Sequence, residues 1–399
     1  MHSEKEISYR IKQRLMKINY LAIFIVMVST FACTSNVPTY QGEIPCTTIH
    51  VDVSSPDFLT HNNVIDKKII QLETTDESVF GDISKLLVAD DRIFILDGQV
   101  AQGLFVFDMQ GNFLFNVGRR GGGPGEFYSI NDFFLDTLNR SISIYDANMR
   151  KLYYYDWTGK YTHTHDFSKL WLFACCPLDS KTFALDFTKT ALFANRFHLL
   201  LVDDDNEAFF RYKPLEMDYG LANNFHIAFY SGHNKTYYVP TLCDTIFEID
   251  TTGIVGGIHI DFGKSMLPHD FLKDVRHSEH AKKLLSSRYC YGVKDISETT
   301  DMLSFIYHYG DHKSVAFYDK KSQKTYNAIA FFPMPLTSYN DYFVGINDYV
   351  YDMKQTTDKN FKDHFIQWKD VMGEENWSLI DNVKEADNPL VILYKIDTQ

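Results

Sequence analysis

Between Gly118 and Phe127 the chain reads Gly-Arg-Arg-Gly-Gly-Gly-Pro-Gly-Glu-Phe, a run whose residue types could hold an anion. Successive backbone N–H groups of a glycine-rich turn form a concave nest, and the guanidinium groups of Arg119 and Arg120 add planar donors suited to carboxylate or sulfate. Arg119, Arg120, Gly121, Gly122, Gly123 and Glu126 are therefore the candidate ligand-binding residues. The same composition also makes a sharp turn: glycine permits positive φ, Pro124 fixes a bend, and Glu126 pairs with a nearby amide or arginine. The run lacks the Lys-Ser/Thr ending of a P-loop, which argues against a nucleotide.

Other candidate chemistry is thinner. His277 and His280 stand three apart on an expected helix, and His163 and His165 share one face of a strand, but neither pair has an identified third ligand, so no metal site is assigned. Cys175 and Cys176 lie in an apolar strand and read as small buried hydrophobes. Tyr153, Tyr154, Tyr155, Tyr237 and Tyr238 could stack on sugars, or pack blade against blade. No nucleophile and base emerge as a set, so catalytic residues stay unassigned.

The elements that position these residues announce themselves as a repeat. An apolar strand ending in Asp, followed by a short turn and another strand, recurs at Asp108, Asp156, Asp203, Asp250 and Asp319. Upstream strands ending in Asp97 and Asp146, with a still earlier one at Leu86-Leu87-Val88 in the first unit, raise the count to four short strands per unit, rich in Phe, Tyr, Val and Ile. A repeat of this length made of four antiparallel strands is a propeller blade. The reading is all-β: blades from about 84–117, 131–167, 172–212, 226–262 and 289–331, and a sixth built from 342–346 and 389–396. The strand 64–72 is expected at the outer edge of blade six, closing the ring so that no open sheet edge remains. Helical insertions are expected near 268–287 and 361–378, the latter from the spacing of Phe361, Phe365, Trp368 and Met372. The repeat Asp residues sit at hairpin turns, too far apart to share one ion, where Asp accepts local backbone bonds.

Residues 1–32 read as a signal segment, with Arg14 and Lys17 before the apolar run Ile18–Ala32, which falls short of the roughly 20 residues of a spanning helix. Thr30-Phe31-Ala32-Cys33 is similar to a bacterial lipobox and makes Cys33 the expected lipidation site. Residues 33–63 are expected as a tether and 64–399 as the propeller. The net charge of −13 speaks against nucleic acid.

The Gly118–Phe127 run, together with the closing segment Asp387-Asn388-Pro389-Leu390-Val391-Ile392-Leu393-Tyr394-Lys395, resembles six-bladed β-propeller envelope lipoproteins of the Bacteroides type, related in fold to TolB-like and NHL-repeat propellers. The resemblance covers nearly the whole chain after residue 16. It implies an outer-membrane lipoprotein held by a lipid anchor, and Thr34-Ser35-Asn36-Val37, without an acidic run, implies a periplasm-facing one. The functional expectation is a binding or scaffold module without a cofactor, whose partner is an envelope protein or a small anionic or carbohydrate ligand. The alternative is a hydrolase of the lactonase type with calcium in the central channel.

Overall fold

A computed structural model of the chain describes residues 39–40, 42–53, 58–59, 61–170, 172–187, 198–212, 227–232, 235–328, 333–347, 372–374 and 376–398. Cys33, the signal segment 1–32 and the 361–371 part of the second expected helix lie outside the described residues. Among the described residues no helix is long and apolar enough to cross a membrane.

Six blades of four antiparallel strands follow one another along the chain, and the sheets of blades four and five each gain a fifth, parallel strand. Blade one comprises Lys85–Ala89, Arg92–Asp97, Gly103–Asp108 and Phe113–Asn116. Blade two comprises Asp132–Asp136, Ser141–Asp146, Lys151–Asp156 and Tyr161–Asp166. Blade three is Ala174–Pro177, Phe183–Asp186, Leu199–Val202 and Ala208–Tyr212, and blade four is Phe229–Gly232, Lys235–Tyr238, Thr245–Asp250 and Gly253–Asp261. Blade five is Cys290–Glu298, Met302–Tyr309, His312–Asp319 and Lys324–Ala328. Blade six runs Pro335–Tyr339, Tyr342–Asn347, Leu390–Ile396 and then Val64–Gln71, the last antiparallel to the C-terminal strand with Ile70 opposite Val391. First strands of neighbouring blades touch one another, so they line the axis.

This connectivity sorts the loops. The links from strand one to two and three to four lie at one end of each blade; the two-to-three links and the passages between blades lie at the other. The second end is the loop face. Apolar clusters fill the spaces between blades: Phe94, Val106, Phe133, Ile144 and Tyr155 between blades one and two, and Ile246, Ile260, Val293 and Phe305 between four and five.

The turn after the third strand of blades one to five is fixed by its Asp and, in blades one, two and four, by a glycine as well. Its Asp accepts amides from the turn: Gln110 and Asn112 on Asp108, Thr158 and Lys160 on Asp156, Asp205 and Glu207 on Asp203, Thr252 on Asp250, Lys321 and Ser322 on Asp319. Its glycine, where present, packs on the outer strand of the preceding blade. A Cβ on Gly111, at φ +89°, would stand 2.0 Å from the Gln71 carbonyl, and those on Gly159 and Gly253 would meet Phe115 and Phe210.

One expectation is corrected. The described part of the 33–63 tether is bound rather than slack, running around the outer edges of three blades before the chain enters blade six. The Tyr40 amide donates to Arg211 O of blade three at 2.7 Å; Cys46–His50 pairs parallel with the last strand of blade four; Phe58–Leu59 pairs parallel with that of blade five; and Val64–Gln71 completes blade six. The reason is apolar burial, since Ile49, Val51 and Leu59 are enclosed. The sequence carries a signal for this in Ile49-His50-Val51-Asp52-Val53, where apolar residues alternate with a period of two. The expected 268–287 insertion is helical over His277–Glu279 and His280–Leu285, and these are preceded by turns in which Asp274 adopts φ +61°. In the second insertion 372–374 and 376–382 are helical, with Met372, Trp377 and Ile380 buried against blades five and six.

Candidate functional site

The loop face is organised by carboxylates that end second strands. Asp97, fully buried, accepts the amides of Gly81 and Asp82 from the loop entering blade one, and those of Gln99, Val100 and Ala101 from the loop joining its second and third strands, at 2.7–3.1 Å. Burial pushes this carboxyl up, but the amides of Ala101, Gly81, Val100 and Gln99 outweigh it and hold the pKa below the ordinary value. Asp146 repeats the arrangement in blade two, accepting from the amides of Tyr128, Ser129 and Met149 and from the Ser129 hydroxyl. Each Asp thus clamps an inter-blade loop to a hairpin loop. The two clamps adjoin, for a Cβ on Gly98 would stand 3.0 Å from Ile130 O.

The glycine-rich run lies on this face, between the clamps. Arg119–Arg120 pairs parallel with Glu126–Phe127, and the Gly121 amide donates to Phe127 O at 2.9 Å. The nest has its own anion: Glu126 Oε2 accepts from the Gly123 amide at 2.7 Å, and Oε1 accepts from Arg119 Nε at 2.6 Å. The Gly123 amide and the Arg119 guanidinium hold the Glu126 pKa below the ordinary value. A Cβ on Gly121 would stand 2.1 Å from Glu126 Oε2 and would push that carboxylate out of the nest, while Gly122 faces open space. Gly125 turns at φ +73° and its carbonyl accepts from the Tyr155 hydroxyl at 2.9 Å, which ties the run to blade two. Of the candidate binding residues, then, Arg119, Gly121, Gly123 and Glu126 are engaged with one another or with the turn. Arg120 remains directed outward, its guanidinium 5.6 Å from the ring centre of exposed Tyr128.

The axis holds a buried ion pair that joins blades one and two. Lys85 Nζ donates to Asp132 Oδ1 at 2.7 Å and to Phe133 O at 3.0 Å, and stands 4.4 Å from the Phe134 ring centre. Burial raises the Asp132 pKa against the opposing pull of Lys85. The free space beside Lys85, lined also by Ser84, Tyr230, Ser231, Asp295 and Thr337, is about 20 Å³, room for one or two waters. A second space of about 20 Å³ lies between blades four and five, against Cys243, Met266 and Cys290. Among the described residues no three His, Cys, Asp or Glu side chains gather as metal ligands.

This architecture matches a family model described as a 6-bladed β-propeller, DUF5128, over residues 47–349. The chain belongs to that family. Among solved structures it is similar to a Bacteroides fragilis protein named as exported, with TM-score 0.71 and 19% identity over 88% of this chain and 99% of that one. A member of the DUF4221 family from Bacteroides vulgatus is also similar, with TM-score 0.52 and 8% identity over 84% of this chain and 98% of that one. At these identities the likeness is one of fold. No curated protein matches the chain.

Within this propeller the remaining candidates serve packing. His163 stacks on Tyr154 with ring centres 4.3 Å apart, whereas His165 bonds Asn206 Oδ1 and packs on Phe167 and Phe183. His280 is buried and bonded to Val275 O. Tyr153, Tyr155, Tyr237 and Tyr238 are buried. Cys46, Cys175, Cys176, Cys243 and Cys290 are free thiols, and burial pushes the Cys175 thiol up. Sequence reasoning missed the clamps and the Lys85–Asp132 pair. For the clamps a signal existed: Asp97 and Asp146 both end second strands. For the ion pair none did, since its partners are separated by a whole blade.

Proposed function

We propose that this chain is an exported, lipid-anchored propeller of the cell envelope that acts as a binding or scaffold module, presenting its loop face to an envelope protein. The observation that carries this reading is the clamping of loops by Asp97 and Asp146. Surface loops bound so firmly lose little freedom when a partner docks, and that preorganisation favours affinity. The narrow axial space supports recognition by the surface rather than by an enclosed pocket, because organic ligands occupy roughly 300–1,000 Å³. An exported structural neighbour supports export, and the lipobox-like sequence before Cys33 supports anchoring from the outer membrane, facing the periplasm.

Affinity capture from solubilised membranes with the intact protein tests the reading. A partner recovered in near-equal amount is expected; recovery of the chain alone from native membranes refutes it. For the anchor, labelled palmitate is expected to enter the wild type and not Cys33→Ser, and equal labelling refutes lipidation there.

A further inference from the structure

We infer that Val79, Val100, Tyr128 and Met149, with Arg120 beside them, form a docking patch for an extended segment of a partner protein that carries apolar residues next to a carboxylate. This rests on the binding-module reading above and names its surface and the chemistry of its partner.

The four side chains are unusually exposed for their type, at 45%, 69%, 57% and 42%. Their placement follows a rule. Val100 and Met149 each stand three residues after a clamp Asp, and each donates its amide to that carboxylate. Tyr128 donates its amide to Asp146, so Tyr128 and Met149 flank one carboxylate. Val79 lies two residues before Gly81, which meets Asp97 and whose Cβ would stand 2.9 Å from Val100 Cγ1. Two neighbouring blades therefore display apolar side chains in equivalent positions, each on a backbone that is pinned beneath it. Elsewhere among the described residues, Leu114, Phe209, Val255 and Ile65 are exposed on outer strands, Tyr40 beside that of blade three, and Leu138 at the opposite end of blade two, while Leu285, on the loop face, stands alone in the insertion between blades four and five.

Charge selects the partner. Arg119 is closed onto Glu126, whereas Arg120 extends outward over Tyr128 and keeps planar donors for a carboxylate. Exposed Asp76 and Glu77 lie at the Val79 end, so the carboxylate of a bound segment belongs at the Arg120 end. Tyr, Met and Arg are the residues enriched at protein interfaces, and Tyr and Arg lead the hot spots.

The test uses the full-length protein in native membranes, with photoreactive benzoylphenylalanine replacing Val100, Met149 or, as the control on the opposite face, Leu138. Adducts with another protein are expected from the first two positions and not from the third. They are expected to fall about tenfold with Arg120→Glu, the loss of one charge-assisted contact, and to be competed by the peptide Asp-Leu-Glu-Phe-Asp but not by its Lys-for-acid counterpart. Circular dichroism confirms that each variant is folded. Adducts indifferent to Arg120→Glu and to the acidic peptide overturn the inference, as do adducts with a second copy of this chain or with polysaccharide. Adducts from Leu138 alone overturn the patch and leave the binding module standing; no adduct from any position, with no partner captured, overturns both.

Discussion

Asp97→Asn changes one atom of a buried carboxylate and should unfold the loop side of blade one more readily. In the wild type Oδ2 accepts from Gly81, Asp82 and Ala101, and Oδ1 from Gln99 and Val100. An asparagine keeps one acceptor oxygen and turns an NH2 group towards the other set of N–H donors. At least two amides then lose a charged acceptor, and each such loss in a buried site costs about 1–3 kcal/mol, so a loss of about 3 kcal/mol is expected after relaxation. The control is Asp108→Asn, whose carboxylate bonds Gln110 and Asn112 in an exposed turn; there water replaces what is lost, and about 0.5–1 kcal/mol is expected. Urea unfolding followed by tryptophan fluorescence compares the two through their midpoints. The Asp97 pKa is depressed in the folded state, so its contribution is complete above the ordinary carboxylate pKa and disappears as pH falls through the folded value. The gap between wild type and Asp97→Asn should accordingly narrow in acid. Equal midpoints for the two variants, or a gap that widens on acidification, would refute the clamp.

Gly111→Ala should cost about 2–4 kcal/mol, from left-handed backbone and collision with the Gln71 carbonyl, while Gly122→Ala, with open space around it, should leave the thermal midpoint unchanged. Lys85→Met should destabilise by about 3–5 kcal/mol by leaving Asp132 buried without its partner. Because burial raises the Asp132 pKa, that deficit should grow as pH rises through and above the ordinary carboxylate value, and a pH series of unfolding midpoints checks the sign. Burial lowers the His308 pKa to about 4, so the wild type should lose stability as pH falls from about 6.5, the unfolded value, towards that figure. His308→Gln should flatten this interval in the same titration. A chain beginning at residue 61 should keep the ring, which Val64–Gln71 closes, but bare the outer strands of blades four and five; concentration-dependent association by sedimentation is the expected result.

Much of the fold was legible because a blade is a local object. Its strands are adjacent in sequence, so the recurrence from Asp108 to Asp319 carries the period, the hairpins and the turn-capping role of the aspartates. The closing strand 64–71 was also readable, since a ring that ends on an open edge is unfavourable. The strap at Cys46–His50 was harder, because its pairing partner is more than two hundred residues away and Pro38, Gly42 and Pro45 suggest slack. The glycine-rich run could be located from sequence, but not its occupant.

By itself the sequence determined that the chain is a six-bladed propeller closed by its two ends, since alternation and turn chemistry act over a few residues and repeat. Tertiary structure decided what the loops do. Whether Glu126 or an outside anion fills the glycine nest, whether Lys85 meets Asp132, and whether Val100 and Met149 stand exposed on clamped amides all depend on the distance between separate loops. That distance is set by the packing of one blade on the next, which no local pattern encodes.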